Sequence, residues 1–336
     1  MQQNIWGGVD IGGTKTAVLL SYGPPEVHSR IEFPTLPEHG PEGAITQIVG
    51  GLHRMLNEAG AAPGALLGIG VSCGGPLNPR TGVIQAPPNL ATWVDVPIVR
   101  ILAGEFGCPV LLENDANAGA MAEHRFGGGK GAHDMVFLTM GTGLGAGIII
   151  QDKLYCGASD MAGEIGHVRL TARGPVGYHK AGSVEGWASG GGMAQVAQDL
   201  LKKARRKGEK SILLELPEDH RVTAKDVNLA AEQGDAVARR IVTFTGKKLG
   251  QALAVVVDVL NPERIVIGGL AMRMGETLLR PAREALRKEA LAQSYAACTI
   301  VPATLGERIG DIAALCVAMG ACSPIRAEAE GETIAK

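Results

Sequence analysis

The sequence predicts an α/β protein of two domains, and three observations predict it. Short apolar runs of strand character alternate with helix-length periodic segments, the pattern of a sheet with helices packed on it. The chain has 336 residues, 46% of them hydrophobic, which is enough for two cores. Two glycine-centred segments also repeat: Val9-Asp10-Ile11-Gly12-Gly13-Thr14-Lys15-Thr16 and Thr139-Met140-Gly141-Thr142-Gly143-Leu144-Gly145-Ala146-Gly147. Laid over each other, Gly12 falls on Gly141 and Ala17 on Ala146, and strand-like runs flank both, which is evidence of an internal duplication.

In chain order, strands are expected at about 4–11 and 14–21, a hairpin closed by the first glycine turn. Strands at 66–73 and 109–113 follow, separated by periodic helical segments near 43–59 and 97–106. An alanine-rich helix at 116–125 precedes the second hairpin, 134–140 and 144–150. From 155 to 186 the chain is glycine-containing and poorly periodic. Helices then dominate: one that Gly190-Gly191-Gly192 interrupts early, one at 223–229, and a long one at 233–259 that stops before Asn261-Pro262. Arg264-Ile265-Val266-Ile267 reads as a buried strand ending in a Gly268-Gly269 turn. The segment 308–321 is a last amphipathic helix, and Ala327–Lys336 a polar, frayed tail. The lobes are expected to divide near residue 115, giving a smaller lobe of 1–115 with about 308–336 and a larger one of 116–307.

Net charge is −2, so no electrostatic footprint invites nucleic acid or an anionic membrane. The one basic run, from Lys202 to Lys210, ends a predicted helix and reads as a solvated face. Met1 leads almost directly into the first strand, and no run of about 18 apolar residues occurs, so a cytoplasmic protein is expected. The six cysteines, at 73, 108, 156, 298, 316 and 322, show neither metal spacing nor a disulfide framework. Cys73, Cys108, Cys298 and Cys316 lie in apolar runs and read as small buried hydrophobes.

Glycine at the two turns leaves no Cβ between backbone and ligand, and freed N–H groups can line up as an anion nest. Thr14 and Thr142 add hydroxyl donors, and Asp10 closes the first strand with a carboxylate that could hold a metal ion through water. Neither segment carries a GxxxxGK[ST] phosphate loop. A strand, Ile148-Ile149-Ile150, follows Gly143-x-Gly145-x-Gly147 where a dinucleotide fingerprint would open a helix. Two such hairpins facing each other would clamp a polyphosphate, the outline of a nucleotide-handling kinase. Glu113-Asn114-Asp115-Ala116-Asn117 stands at a strand-to-helix junction, where Asn and Asp serve as helix caps. Ligands also bind at that place in α/β sheets, and a carboxylate there could accept a hydroxyl proton. Glu164 and His167 in Gly163-Glu164-Ile165-Gly166-His167, with Glu185, add carboxylates and an imidazole suited to a polyhydroxylated, uncharged ligand.

With these residues in view, the chain resembles the ROK-family sugar kinases of the actin/hexokinase-like superfamily over essentially its full length. Asp10-Ile11-Gly12-Gly13-Thr14-Lys15 resembles the family's first phosphate motif, and Gly141-Thr142-Gly143-Leu144-Gly145 its second. Gly74-Gly75-Pro76 and Ala86-Pro87-Pro88-Asn89-Leu90-Ala91-Thr92-Trp93 are similar to its sugar-side loops. Glu113-Asn114-Asp115-Ala116-Asn117 is similar to its catalytic segment, and Gly268-Gly269 to its adenosine turn. The resemblance implies a two-lobed ribonuclease H-like α/β fold with a central cleft, and glucokinase-like, ATP-dependent phosphorylation of a hexose. It implies Asp115 as general base and Asn89, Asn114, Glu164, His167 and Glu185 as sugar ligands. Gly12, Gly13, Thr14, Lys15, Gly141, Thr142 and Gly143 would cradle phosphates, Gly268 and Gly269 would pass the adenosine, and Asp10 would help hold Mg²⁺. A homodimer is implied as well.

One departure concerns zinc. Family members carry a site made by the histidine of GEIGH and three cysteines of a CxCGxxGCxE segment, and counting back from Glu185 those positions hold Val176, Tyr178 and Ser183. None supplies a thiolate, so zinc is not expected, and packing of Val176, Tyr178 and Trp187 is expected to hold the loop instead. Glucose is the first sugar implied. The alternatives are an N-acetylhexosamine, fructose or allose, a polyphosphate donor in place of ATP, or a non-catalytic sugar-binding or regulatory protein of the same family.

Overall fold

The computed structural model describes residues 4–217 and 219–320. Residues up to Phe126, together with those from Glu307, form one compact unit, and Gly127–Gly306 form a second. The expected tail, Ala327–Lys336, and Cys322 lie outside the described residues.

In the first unit, β1 (Ile5–Ile11) and β2 (Lys15–Ser21) pair antiparallel around the first glycine turn. β3 (Ser29–Pro34) continues antiparallel on β2. After α1 (Glu42–Glu58) the chain lays β4 (Leu66–Cys73) parallel to β1. The short pair β5 (Leu77–Asn78) and β6 (Val83–Ile84) and then α2 (Ile98–Phe106) lead to β7 (Val110–Asn114), parallel to β4. The sheet order is β3-β2-β1-β4-β7, and α3 (Asp115–Phe126) starts where β7 stops. On α1, Ala44, Ile48, Leu52 and Met55 recur at helical spacing and bury one stripe against Val18 and other apolar residues of the sheet.

The second unit opens with β8 (Met135–Met140) and β9 (Leu144–Ile150), antiparallel around the second glycine turn, and β10 (Lys153–Leu154). β11 (Val176–Gly177) and β12 (Lys180–Ala181) make a small hairpin. Helices α4 (Val184–Ala188), α5 (Gly190–Arg206), α6 (Ala224–Glu232) and α7 (Ala236–Leu260) follow. After them come β13 (Arg264–Ile267), α8 (Leu270–Met274), α9 (Glu276–Glu289), α10 (Ala292–Ala297) and β14 (Thr299–Pro302). The order β10-β9-β8-β13-β14 repeats the plan of the first sheet, a hairpin with a third antiparallel strand outside it and two parallel strands added on the other side. α11 (Ile309–Gly320) then returns the chain to the first unit, on β1, β4 and α3. It can lie directly on β4 because any Cβ at Gly70 would run into the backbone of Ala314 and Ala318.

The repeat is not in strict register. Ile11 pairs with Thr16 across four intervening residues, whereas Met140 pairs with Leu144 across three. Gly190-Gly191-Gly192 does not interrupt a helix: α4 ends at Ala188, and the Ser189 hydroxyl accepts the Gly192 N–H at 3.0 Å to start α5 at Gly190. β3, β14 and the helices between 270 and 297 carry no expectation from the sequence. β3 is an edge strand with charged, partly exposed residues, and β14 runs for four residues into Pro302. α3 belongs to the first unit, where it packs on α11, β4 and β7, and Ala116, Ala118, Ala120 and Ala122 are buried along it.

Candidate active site

In the first unit the glycine turn, the end of β4 and the β7–α3 junction meet at the same end of the sheet, past the carboxyl ends of β1, β4 and β7. Asp10, one residue before the end of β1, pairs with Ser72 of β4, whose hydroxyl bonds its carboxylate. Gly310 at the start of α11 lies so close to the Asp10 carboxylate that no side chain fits there. Burial, with the neighbouring Asp115 and Asp311 charges, pushes the Asp10 carboxyl up to about 6, against the opposing pull of Lys15 and Ser72. Arg30 Nε donates to both Asp311 oxygens, at 2.9 and 3.2 Å, and the same guanidinium pairs with Glu32, which also takes Lys15 at 3.0 Å. Lys15 is thus tied into a chain of charges that ends beside Asp10.

Asn114 and Asp115 both cap α3: Asn114 Oδ1 and Asp115 Oδ1 accept the Ala116 N–H at 3.0 and 2.8 Å. Beneath them, buried Glu113 accepts from the Asn114 N–H at 3.1 Å and from Asn117 Nδ2 at 3.0 Å. The Gly74-Gly75 loop passes over this junction; a Cβ on Gly75 would lie 3.4 Å from Asn114 Nδ2, and one on Gly74 3.9 Å from Asp115 Oδ2. Asp115 opens to solvent but is crowded by protein on its other sides, and this desolvation raises its carboxyl above the ordinary carboxylate range. Solvent contact limits the size of that shift. Exposed Asn89 packs on Gly13. The cap reading and the site reading of Asn114 and Asp115 are therefore compatible, since each carboxylate or amide has a second oxygen or nitrogen.

The second unit gathers its own set around the β8–β9 turn. Glu185 Oε2 accepts the Leu144 N–H at 3.1 Å, directly after Gly141-Thr142-Gly143. Gly166 of the Glu164–His167 segment packs on the Leu144 carbonyl, and Lys180 Nζ donates to the His167 carbonyl at 2.8 Å. The Gly268 N–H donates to the Leu138 carbonyl at 2.8 Å, and Gly269, with φ at 64°, turns against the Met140 carbonyl where a Cβ cannot go. Glu164, His167 and Thr142 are exposed.

The 171–187 loop departs from expectation. Val176 and Tyr178 are 49% and 59% exposed, so they do not pack it shut. Tyr178 and His179 form the tip of the β11–β12 hairpin with φ of 37° and 62°, the left-handed turn such a two-residue connection requires. Polar contacts hold the loop instead. The Gln195 side chain bonds both the N–H and the C=O of Val176, at 2.9 and 2.8 Å, and Ser183 Oγ caps α4 by accepting from Gly186 N at 3.1 Å. Trp187 alone packs as expected, donating to Thr171 Oγ1 at 2.8 Å, against the Phe244 ring and under the Lys248 ammonium.

Sequence reasoning gave no role to Ser72, Asp311, Glu113 and Asn117. Ser72 is a lone hydroxyl at the end of the apolar run Ile69–Cys73, and Asp311 an acid at the start of an otherwise apolar helix; both are visible as polar residues where apolar ones are due.

A model of the ROK family matches residues 6–320 of the chain. A glucokinase of Halalkalibacterium halodurans is 36% identical over 91% of this chain and 92% of its own. A xylose repressor of Caldicellulosiruptor bescii is 32% identical over 73% of this chain and 60% of its own. Among solved structures, a ROK family glucokinase from Streptomyces griseus in complex with glucose and AMPPNP superposes with a TM-score of 0.75 at 30% identity, covering 94% of this chain and all, 100%, of that one.

The raised Asp10 carboxyl makes a stability prediction. With a folded pKa of about 6 against 3.8, the protonated form is the one folding favours; that stability is complete below about pH 3.8 and is lost as pH rises through about 6. At neutral pH the ionised group costs up to about 3 kcal/mol. Asp10→Asn is expected to raise the urea unfolding free energy at pH 7 and to change it little at pH 4. Equal unfolding curves at pH 7 would count against the strain placed on Asp10.

Proposed function

Because the chain belongs to the ROK family, we propose that it is an ATP-dependent hexose kinase of the actin/hexokinase-like fold, with glucose as its first substrate. The observation that carries the reading is the meeting of Asp115, a carboxylate of raised pKa, with a glycine phosphate turn and Asp10 at one end of the sheet, while the turn is repeated without the acids in the second unit.

Asp115 would accept the proton of the attacking sugar hydroxyl, a group whose raised pKa brings it closer to the working pH of a base. Asn114, fixed from below by Glu113, would orient that hydroxyl, and Asn89, Glu164, His167 and Glu185 would hold the rest of the sugar. Gly12, Gly13, Thr14, Gly141, Thr142 and Gly143, with the Lys15 ammonium, would cradle the phosphates: the Gly12 and Gly141 N–H groups close the turns on the Lys15 and Gly143 carbonyls, at 3.0 Å each, so the N–H groups of Gly13, Thr14, Thr142 and Gly143 would donate, and Gly268-Gly269 would pass the adenosine. Asp10 would hold Mg²⁺ through water, supplying charge neutralisation on the nucleotide oxygens. The donor set fits that ion. Asp10 offers a hard carboxylate oxygen, bonded by the Ser72 hydroxyl and facing the Asp115 and Asp311 charges, the donor chemistry of a cation bound by few carboxylates plus phosphate and water. A cytoplasmic location and a homodimeric assembly are the expectation for such a kinase. No helix of the described residues is long and apolar enough to cross a membrane.

The similarity to a xylose repressor gives the regulatory reading an observation of its own. A hexose panel read by coupled ADP release separates the two: glucose-dependent release supports the kinase, and sugar binding without ADP release from any hexose supports the regulator. The same panel ranks glucose against N-acetylhexosamines, fructose and allose, and polyphosphate in place of Mg-ATP tests the donor.

Asp115→Ala is expected to lower kcat by about 10²–10⁴-fold, the usual loss for a general base, with sugar binding retained in calorimetry. Near wild-type turnover would remove Asp115 from the mechanism. A second expectation concerns zinc. With Val176, Tyr178 and Ser183 in the thiolate positions, the purified enzyme should carry less than stoichiometric zinc by elemental analysis and keep full activity after chelation once Mg²⁺ is restored. Rescue only by zinc would reverse this.

A further inference from the structure

Gly190-Gly191-Gly192 has no part in the phosphoryl transfer as assigned, and three glycines are a poor choice for the first turn of a helix as long as α5. The N–H groups at a helix start lack intrahelical partners, and here two of them grip the second glycine turn. The Gly190 N–H donates to the Gly141 carbonyl at 2.8 Å and the Gly191 N–H to the Thr142 carbonyl at 3.1 Å. A Cβ on Gly190 would lie 2.8 Å from that Gly141 oxygen, and one on Gly191 3.1 Å from the Thr142 oxygen. The far end of the turn is held by Glu185, whose Oε2 accepts the Leu144 N–H at 3.1 Å and would sit 2.8 Å from a Cβ on Gly143. Glu185 and Ser189 are joined by the Ser189 N–H to Glu185 C=O bond at 3.0 Å. One continuous segment, Glu185 to Gly191, therefore holds both ends of the turn.

We propose that this segment is a latch that sets the shape of the Gly141–Gly143 phosphate turn and couples sugar binding to nucleotide binding through the Glu185 carboxylate. Glu185 would touch sugar; Gly190 and Gly191 are positioning residues that act through the turn. A hydroxyl donating to Glu185 fixes the rotamer that also receives the Leu144 N–H, so sugar stabilises the turn before nucleotide arrives. By linkage, nucleotide then tightens sugar by the same factor. The grip on the turn is independent of the sugar, and only the coupling rests on the hexose-kinase reading.

The test is calorimetric titration of Mg-AMPPNP into the wild type, Glu185→Ala, Glu185→Gln and Gly191→Ala, with and without glucose, after circular dichroism has shown each to be folded. Without sugar, Glu185→Ala should weaken AMPPNP by about tenfold, the effect of losing one hydrogen bond to a charged group. Glu185→Gln, whose amide oxygen still accepts the Leu144 N–H, should restore most of that affinity. Gly191→Ala should weaken AMPPNP. Glucose should tighten AMPPNP in the wild type and not in Glu185→Ala. Wild-type AMPPNP affinity in both Glu185→Ala and Gly191→Ala would overturn the latch, and if Gly191→Ala is unfolded the Glu185 pair decides alone. A wild type that binds AMPPNP but no hexose overturns the coupling and the sugar reading, while the sugar-free comparison still judges the grip. A wild type that binds no AMPPNP overturns both.

Discussion

Backbone lying directly on backbone is the constraint on which the rest of this molecule depends. In the second unit, Gly163, Gly166, Gly190 and Gly269 each rest on a carbonyl between Met140 and Ala146, at distances that leave no room for a Cβ. The loop carrying His167, the helix pair carrying Glu185 and the turn after β13 can therefore all reach one short hairpin. In the first unit the same device lets α11 lie on β4 at Gly70, where a Cβ would meet the Ala314 carbonyl and the Ala318 nitrogen. A single methyl at such a position must move an element rather than a side chain, and close-packed interiors resist such movement.

Electrostatics in the first unit works against stability and for chemistry. Burial disfavours the ionised form of Asp10, the charges of Asp115 and Asp311 add to that, and the Lys15 charge and the Ser72 hydroxyl offset only part of it. A protein selected for stability alone would place neutral residues there. Strained charge of this kind is a common mark of a working site, and a divalent cation with a polyphosphate is chemistry that would relieve it.

The strand-and-helix alternation and the paired glycine segments were enough to read the α/β class and the two hairpins, because both are local signals: period, turn residues and apolar runs. β3 and β14 escaped, since an edge strand with charged residues and a four-residue strand carry too few apolar positions to stand out. The 171–187 loop was misread for a related reason. Replacing three thiolates by Val176, Tyr178 and Ser183 looks like a change to apolar packing, but Tyr178 sits at a left-handed hairpin tip and points to solvent, and Gln195, from a distant helix turn, does the holding.

By itself the sequence determined which residues have chemistry to offer: Asp10 at a strand end, Asn114 and Asp115 at a junction, Glu185 in a glycine-flanked turn. Those facts follow from residue type and local spacing. Only the tertiary structure decided what surrounds them. Ser72 and Gly310 meet Asp10 because β4 and α11 lie beside β1, and the Leu144 N–H meets Glu185 because α4 packs on β9. The role of Gly190-Gly191-Gly192 shows the difference most plainly. Along the chain a triple glycine reads as a break in a helix; in space it is a helix start pressed onto a turn some fifty residues earlier, and no local pattern encodes a contact between segments that far apart.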